Sequence, residues 1–119
     1  LVADDDVDIR ELVEFKLATM GHEIVTVGDG SAAVETCREQ HPDLAVLDIM
    51  MPGLTGLEAV RQMRSSPDMA GIPVILLTAR AQQSDVEIGY QSGANDYITK
   101  PFSPRDLAAR VEALLARST

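Results

Sequence analysis

Five short apolar runs punctuate the chain: Leu1 to Ala3, Ile24 to Val27, Leu44 to Leu47, Pro73 to Leu77 and Tyr97 to Thr99. Each has the length of a β-strand, and between them apolar residues recur at helical spacing. Ile9, Leu12, Val13, Leu17 and Met20 form one helical face stopped by Gly21, and Ala33, Val34 and Cys37 form a second ended by Pro42. Leu57, Val60 and Met63 mark a third helix, Val86, Gly89 and Tyr90 a weakly apolar fourth, and Leu107, Val111, Leu114 and Leu115 a fifth. The start signals agree: Thr55 with Glu58 and Ser84 with Glu87 have capping-box spacing, and Ser103 precedes Pro104, a favoured first helical residue.

Five strand-helix repeats predict a parallel sheet with right-handed crossovers and helices on both faces. The runs "LAVL" and "PVILL" lack polar alternation, as strands buried on both sides should. Ligands of such open sheets collect beyond the carboxyl ends of the strands. At those ends stand Asp4, Asp5 and Asp6 after the first run, Asp48 after the third, Thr78 after the fourth and Lys100 after the fifth. Two carboxylates ~5 Å apart repel by about 3 kcal/mol at an effective dielectric near 20, so crowded acids call for a cation or a raised pKa. Oxygen ligands, few carboxylates and room for water suit magnesium better than calcium. Taken singly, each Asp reads as a cap, Thr78 as a strand-end hydroxyl and Lys100 as a surface charge. Their convergence on one edge favours a site.

Composition narrows the function classes. The 119 residues suit one domain, and 45% hydrophobic with only 3% aromatic content implies an aliphatic core. A net charge of -9 opposes direct nucleic-acid or anionic-membrane binding by the domain itself. The single Cys37 excludes an internal disulfide, and no apolar stretch approaches the ~20 residues of a membrane span, so the expected location is cytoplasmic. The chain begins on Leu1 rather than Met, and a few preceding residues are expected. Secondary signals fall away. "DDDVD" has Ile9 where a calcium loop needs Gly; His22 and His41 lack partners at metal-ligand spacing; Cys37 reads as core; "GDGSA" reads as a turn and helix start.

The acidic pair after the first strand, "LDIMMPG" after the third, "LLTAR" after the fourth and "DYITKPF" after the fifth, in this order, resemble the receiver domains of two-component response regulators. The resemblance covers nearly the whole chain. It implies a flavodoxin-like (βα)5 doubly wound five-stranded parallel sheet of order 2-1-3-4-5, with residues 1–119 as one receiver domain and any output domain beyond Thr119. It further implies that Asp48 accepts a phosphoryl group from a sensor histidine kinase or phosphotransfer protein. Asp5 is implied as a direct Mg2+ ligand (Mn2+ could substitute), Asp4 as its water-mediated companion and Met50 as a carbonyl ligand; Asp6 falls outside the site. Lys100, the Thr78 hydroxyl and the backbone amide after Asp48 would balance the phosphoryl charge. Thr78 and Tyr97 resemble the switch pair, Met50 and Arg80 the residues lining access to the phosphate, and the Lys100–Pro101 peptide is expected to be cis. The face of the fourth helix, fifth strand and fifth helix would carry the signal and could form a phosphorylation-dependent homodimer. The ending "KPFSPRDLAARVEALL" is similar to receivers that precede a winged-helix DNA-binding domain. Two other readings remain: a small haloacid-dehalogenase-like phosphatase, against which Asp8 stands where a "DxDxT" run needs Thr or Val, and a phosphorylation-independent interaction module. On the leading reading the domain is no enzyme with an external substrate, catalysing only its own phosphorylation and dephosphorylation.

Overall fold

The runs without polar alternation become the middle of a sheet. In the computed structural model, which describes residues 1–79, 91 and 93–117, β3 (Ala45–Asp48) and β4 (Val74–Thr78) are buried at every position. With β1 (Val2–Ala3), β2 (Thr26–Val27) and β5 (Asp96–Thr99) they form five parallel strands in the order β2-β1-β3-β4-β5. The helices described are α1 (Val7–Ala18), α2 (Gly30–Gln40), α3 (Gly56–Arg64) and α4 (Pro104–Arg117). The helix expected around Val86, Gly89 and Tyr90, its Ser84–Glu87 start signal and Arg80 lie outside the described residues.

Alternation along each strand splits the core into two layers. Ala3, Ala45, Leu47, Val74, Leu76 and Tyr97 pack with Ala33, Val34 and Cys37 of α2 and Ala59, Val60 and Met63 of α3. Val2, Val46, Ile75, Leu77 and Ile98 pack with Val13 and Leu17 of α1 and Leu107, Ala108, Val111 and Leu114 of α4. The result is the doubly wound arrangement that the strand-helix repeats predict.

Local signals act largely where expected. Thr55 and Glu58 complete a reciprocal capping box at α3, Pro104 opens α4, and Asp29 caps α2 by accepting from the Ala32 N–H at 2.7 Å. His41 ends α2 in the left-handed conformation, one residue before Pro42. Two expectations for α1 are corrected. Leu12 (46% exposed) and Met20 (36% exposed) are not core residues. The helix meets the sheet through Val13 and Leu17, which turns Leu12 aside by about 100°, and Met20 lies past the helix end. β2 is also shorter than its apolar run: Val25 stays at the surface although its carbonyl accepts the Val2 N–H at 2.9 Å.

The start of α3 lies hard against the end of β3. Gly56 donates its N–H to the Ile49 carbonyl at 3.0 Å, and a Cβ at Gly56 would lie 2.4 Å from the Asp48 carbonyl oxygen and 2.9 Å from Ile49 Cα. Both obstacles are backbone. Gly56→Ala is expected to destabilise the domain by about 1–3 kcal/mol through overpacking. Thermal or urea unfolding measures this, and an unchanged midpoint would show that α3 and β3 separate freely.

Candidate functional site at the carboxyl edge

Sheet register sets the site. Ala3 pairs with Leu47, so the residues that follow, Asp4 and Asp48, emerge side by side at the carboxyl edge. β4 ends on Thr78, paired with Thr99 of β5, and the next residue, Lys100, donates its backbone N–H to the Thr78 carbonyl at 2.6 Å. The Lys100–Pro101 peptide is cis, as the family resemblance implies.

The three consecutive aspartates have three different environments. Asp4 is fully buried; its Oδ1 accepts the Asp6 N–H at 2.9 Å and its Oδ2 accepts from the Lys100 ammonium at 3.0 Å. Asp5 is exposed. Asp6 faces away to cap α1, accepting from the N–H groups of Asp8 at 2.9 Å and Ile9 at 3.3 Å. Its absence from the site thus has a structural reason: the orphan donors of a helix start claim it.

Asp48 is 4% exposed. Its Oδ2 lies 3.2 Å from the Lys100 ammonium, and its Oδ1 accepts the Met50 N–H at 3.3 Å. The amide directly after Asp48 has other work: the Ile49 N–H donates to the Leu77 carbonyl at 2.9 Å, in line with the strand ladder. The loop donor facing the carboxylate is therefore the Met50 N–H, a correction to the sequence expectation. Met50 itself is 65% exposed at the rim, whereas Met51 is buried in the core. Thr78 is buried beside the site, and Tyr97 is buried in the layer that contains Leu76 and Ala94.

Oxygens of Asp4, Asp5 and Asp48 lie within 4.8 Å of one another, the one group of acids suited to a metal ion among the described residues. Carboxylate oxygens without nitrogen or sulfur donors fit a hard divalent cation. Lys100 supplies one positive charge against three negative ones. Burial, followed by the charge of Asp4, pushes the Asp48 carboxyl up to about 6 against the opposing pull of Lys100 and the Met50 amide. Burial acts to lower the Lys100 pKa, but its hydrogen bond to Asp4 and the charges of Asp48 and Asp4 outweigh this and raise it.

Sequence reasoning missed two contributors. Gly56 lets α3 approach the Asp48 carbonyl, and Arg10 donates to the Asp4 carbonyl at 3.1 Å from one turn into α1. An Arg four residues after an N-cap is an available signal for such a contact, but it does not identify the acceptor. The residues set aside remain apart from the site: His22 pairs with Glu112 at 2.6 Å, and Cys37 is a core residue whose thiol burial pushes up to about 11.

A doubly wound parallel sheet of this order, with an acid cluster clasping a lysine at its carboxyl edge, defines a flavodoxin-like signalling class. The family model described as "Response regulator receiver domain" matches residues 1–112, and the chain belongs to this family: it is a receiver domain of two-component response regulators. It is 42% identical over 118 residues to the "DNA-binding response regulator MtrA" of Mycobacterium leprae, covering 99% of this chain and 51% of that protein. It is likewise 42% identical over 118 residues to the "Alkaline phosphatase synthesis transcriptional regulatory protein PhoP" of Bacillus subtilis, covering 99% of this chain and 48% of that protein. The chain thus spans about half the length of the curated relatives it matches. Among solved structures, the Francisella response regulator 1452 receiver domain superposes with a TM-score of 0.94 at 34% identity, covering 99% of this chain and 96% of that one. The Vibrio cholerae chemotaxis protein CheY4 gives 0.89 at 28% identity, covering 95% and 94%. Receiver domains interact with histidine kinases, and no helix among the described residues is long and apolar enough to cross a membrane.

The raised Asp48 pKa carries a stability signature. A carboxyl that holds its proton more tightly when folded contributes stability at low pH and loses it as pH rises from about 4 through about 6, after which the loss is constant. Asp48→Asn removes that loss while Asp4 remains as a partner for Lys100. Without divalent ions it is expected to raise the melting temperature at neutral pH, with the gain shrinking toward pH ~4. A gain of the same size at both ends of that range would contradict the assignment.

Proposed function

We propose that Asp48 is the phosphoacceptor of this receiver. One Asp48 carboxylate oxygen attacks the phosphorus of a kinase phosphohistidine. The new O–P bond forms as the N–P bond breaks, and the imidazole nitrogen leaves with the electron pair. The supporting observation is the shared position of Asp4, Asp48 and Lys100, which puts an oxygen nucleophile and a side-chain ammonium at one point. Asp5 and Asp48, with the Met50 carbonyl and a water held by Asp4, would hold Mg2+ or Mn2+. When bound, the ion supplies positive charge to a phosphoryl oxygen and relieves repulsion among the acids.

The remaining work belongs to the chain. Lys100, released from its two carboxylates as their charge is taken up, pairs with a second phosphoryl oxygen. The Thr78 hydroxyl and the Met50 N–H donate to the transferred group. Movement of Thr78 toward the phosphate alters the space beside Tyr97, and so the face made by β5 and α4. Met50, exposed at the rim, lines the path by which water reaches the acyl phosphate. The domain thereby catalyses its own phosphorylation and slow dephosphorylation and turns over no external metabolite. Because the chain spans about half the length of relatives named as DNA-binding or transcriptional regulators, any output domain would lie beyond residue 119, and the receiver would control its DNA binding without touching DNA itself.

Incubation with a small phosphodonor and Mg2+, followed by mass spectrometry, should add one phosphoryl group. The adduct should be acid-stable and alkali-labile, and absent from Asp48→Asn. No adduct, or many-turnover hydrolysis of a stable monoester, would overturn this reading in favour of an interaction module or a phosphatase respectively. Activation is also expected to produce a homodimer through the β5–α4 face. Sedimentation with beryllofluoride and Mg2+ should show a mass increase, and an unchanged monomer would refute that step.

A further inference from the structure

Far from the acids, at the opposite edge of the sheet, α3 ends on Arg64. Its Nε donates to the Gly93 carbonyl at 2.9 Å, its Nη1 to the carbonyls of Ile72 at 2.8 Å and Ala70 at 3.2 Å, and its Nη2 to Asn95 Oδ1 at 2.9 Å. The same Asn95 oxygen accepts the Val74 N–H at 2.9 Å, and the Asn95 N–H donates to the Val74 carbonyl at 2.8 Å. One planar cation therefore joins the turn that launches β4 to the turn that launches β5. The passage is shaped for it: Gly93 has φ +112°, and a Cβ there would lie 2.6 Å from Arg64 Cγ. All these acceptors are neutral, so among the described residues the partly buried charge is held by hydrogen bonds, a geometry that suits a forked guanidinium and not a lysine.

We infer that Arg64 and Asn95 form a latch that sets β4 and β5 against each other, making Arg64 a positioning residue for the phosphoryl transfer assigned above to Asp48. The inference rests on that reading for its functional consequence. β4 delivers Thr78, and β5 delivers Tyr97 and Lys100, through four register pairs that begin at Ile75 with Asp96, just past the latch. The acids come from β1 and β3, which the latch does not touch. Releasing it should misplace Thr78 and Lys100 while leaving the ion-binding acids in place.

The test measures phosphorylation of the full chain by a small phosphodonor across a range of Mg2+ concentrations, alongside amide hydrogen exchange. In Arg64→Met the maximal rate at saturating Mg2+ is expected to fall about tenfold. Half-saturating Mg2+ should stay within about twofold, and exchange should accelerate from Ala94 to Lys100 relative to α1 and α2. Arg64→Lys, which keeps the charge but loses the fork, should fall between. An unchanged rate, or rate and half-saturation moving together with exchange raised evenly over the chain, overturns the positioning role. A wild-type chain that accepts no phosphate refutes the Asp48 assignment instead. The latch is then judged by unfolding midpoints alone: Asn95→Asp gives Arg64 a counter-charge and should raise the midpoint in the wild-type background, yet lower it in Arg64→Met. The same sign in both backgrounds overturns the pairing.

Discussion

The Lys100 ammonium, held 3.0 Å from Asp4 and 3.2 Å from Asp48, is the interaction on which the carboxyl edge depends. Both carboxylates are buried and come from adjacent parallel strands, so the register that aligns the sheet also forces like charges together. At an effective dielectric near 20 such a pair repels by about 3 kcal/mol at ~5 Å, a large share of the stability of a small domain. One lysine, reaching in from the end of β5, offsets part of that repulsion. Burial first, and the charge of Asp4 second, still push the Asp48 carboxyl up to about 6 against the pull of Lys100. A cluster with three carboxylates and one ammonium is chemically suited to a divalent ion.

The rest of the fold holds those charges in place. Fully buried β3 and β4 give the Asp48 and Thr78 backbones little freedom, because their apolar side chains pack alternately into one layer and the other and both faces of each strand are covered. Gly56 brings α3 against the Asp48 carbonyl, and Arg10 ties α1 to the Asp4 carbonyl. Arg64 binds the other edge, where β4 and β5 begin. Thr78, Tyr97 and Lys100 thus belong to two paired strands fastened near their starts, with Thr78 and Lys100 at the carboxyl edge beside Asp48.

Much of this architecture is legible in the residues. Unbroken apolar runs identify the central strands because burial on both faces removes alternation, and the residues after those runs name the edge cluster because strand ends share one side of a parallel sheet. Family resemblance adds the strand order and the cis peptide. Other features depend on three-dimensional context that spacing does not encode. Leu12 has the spacing of a core residue, yet the contact stripe of α1 is narrow and leaves it outside. Asp6 looks equivalent to its neighbours in "DDD" until the helix start claims its side chain. The Ile49 amide looks available until the β4 ladder takes it. Arg64 reads as an ordinary basic residue in a last helical turn, because its acceptors are three backbone carbonyls and the Asn95 side chain, up to 31 positions away.

The most direct measurement is a crystal structure of the domain with Mg2+ and beryllofluoride. The account predicts an ion ligated by Asp5, Asp48 and the Met50 carbonyl, with the Lys100 ammonium moved from Asp4 and Asp48 onto a fluoride. An ion bound elsewhere, or Lys100 still bridging the two carboxylates with beryllofluoride seated on Asp48, would contradict it.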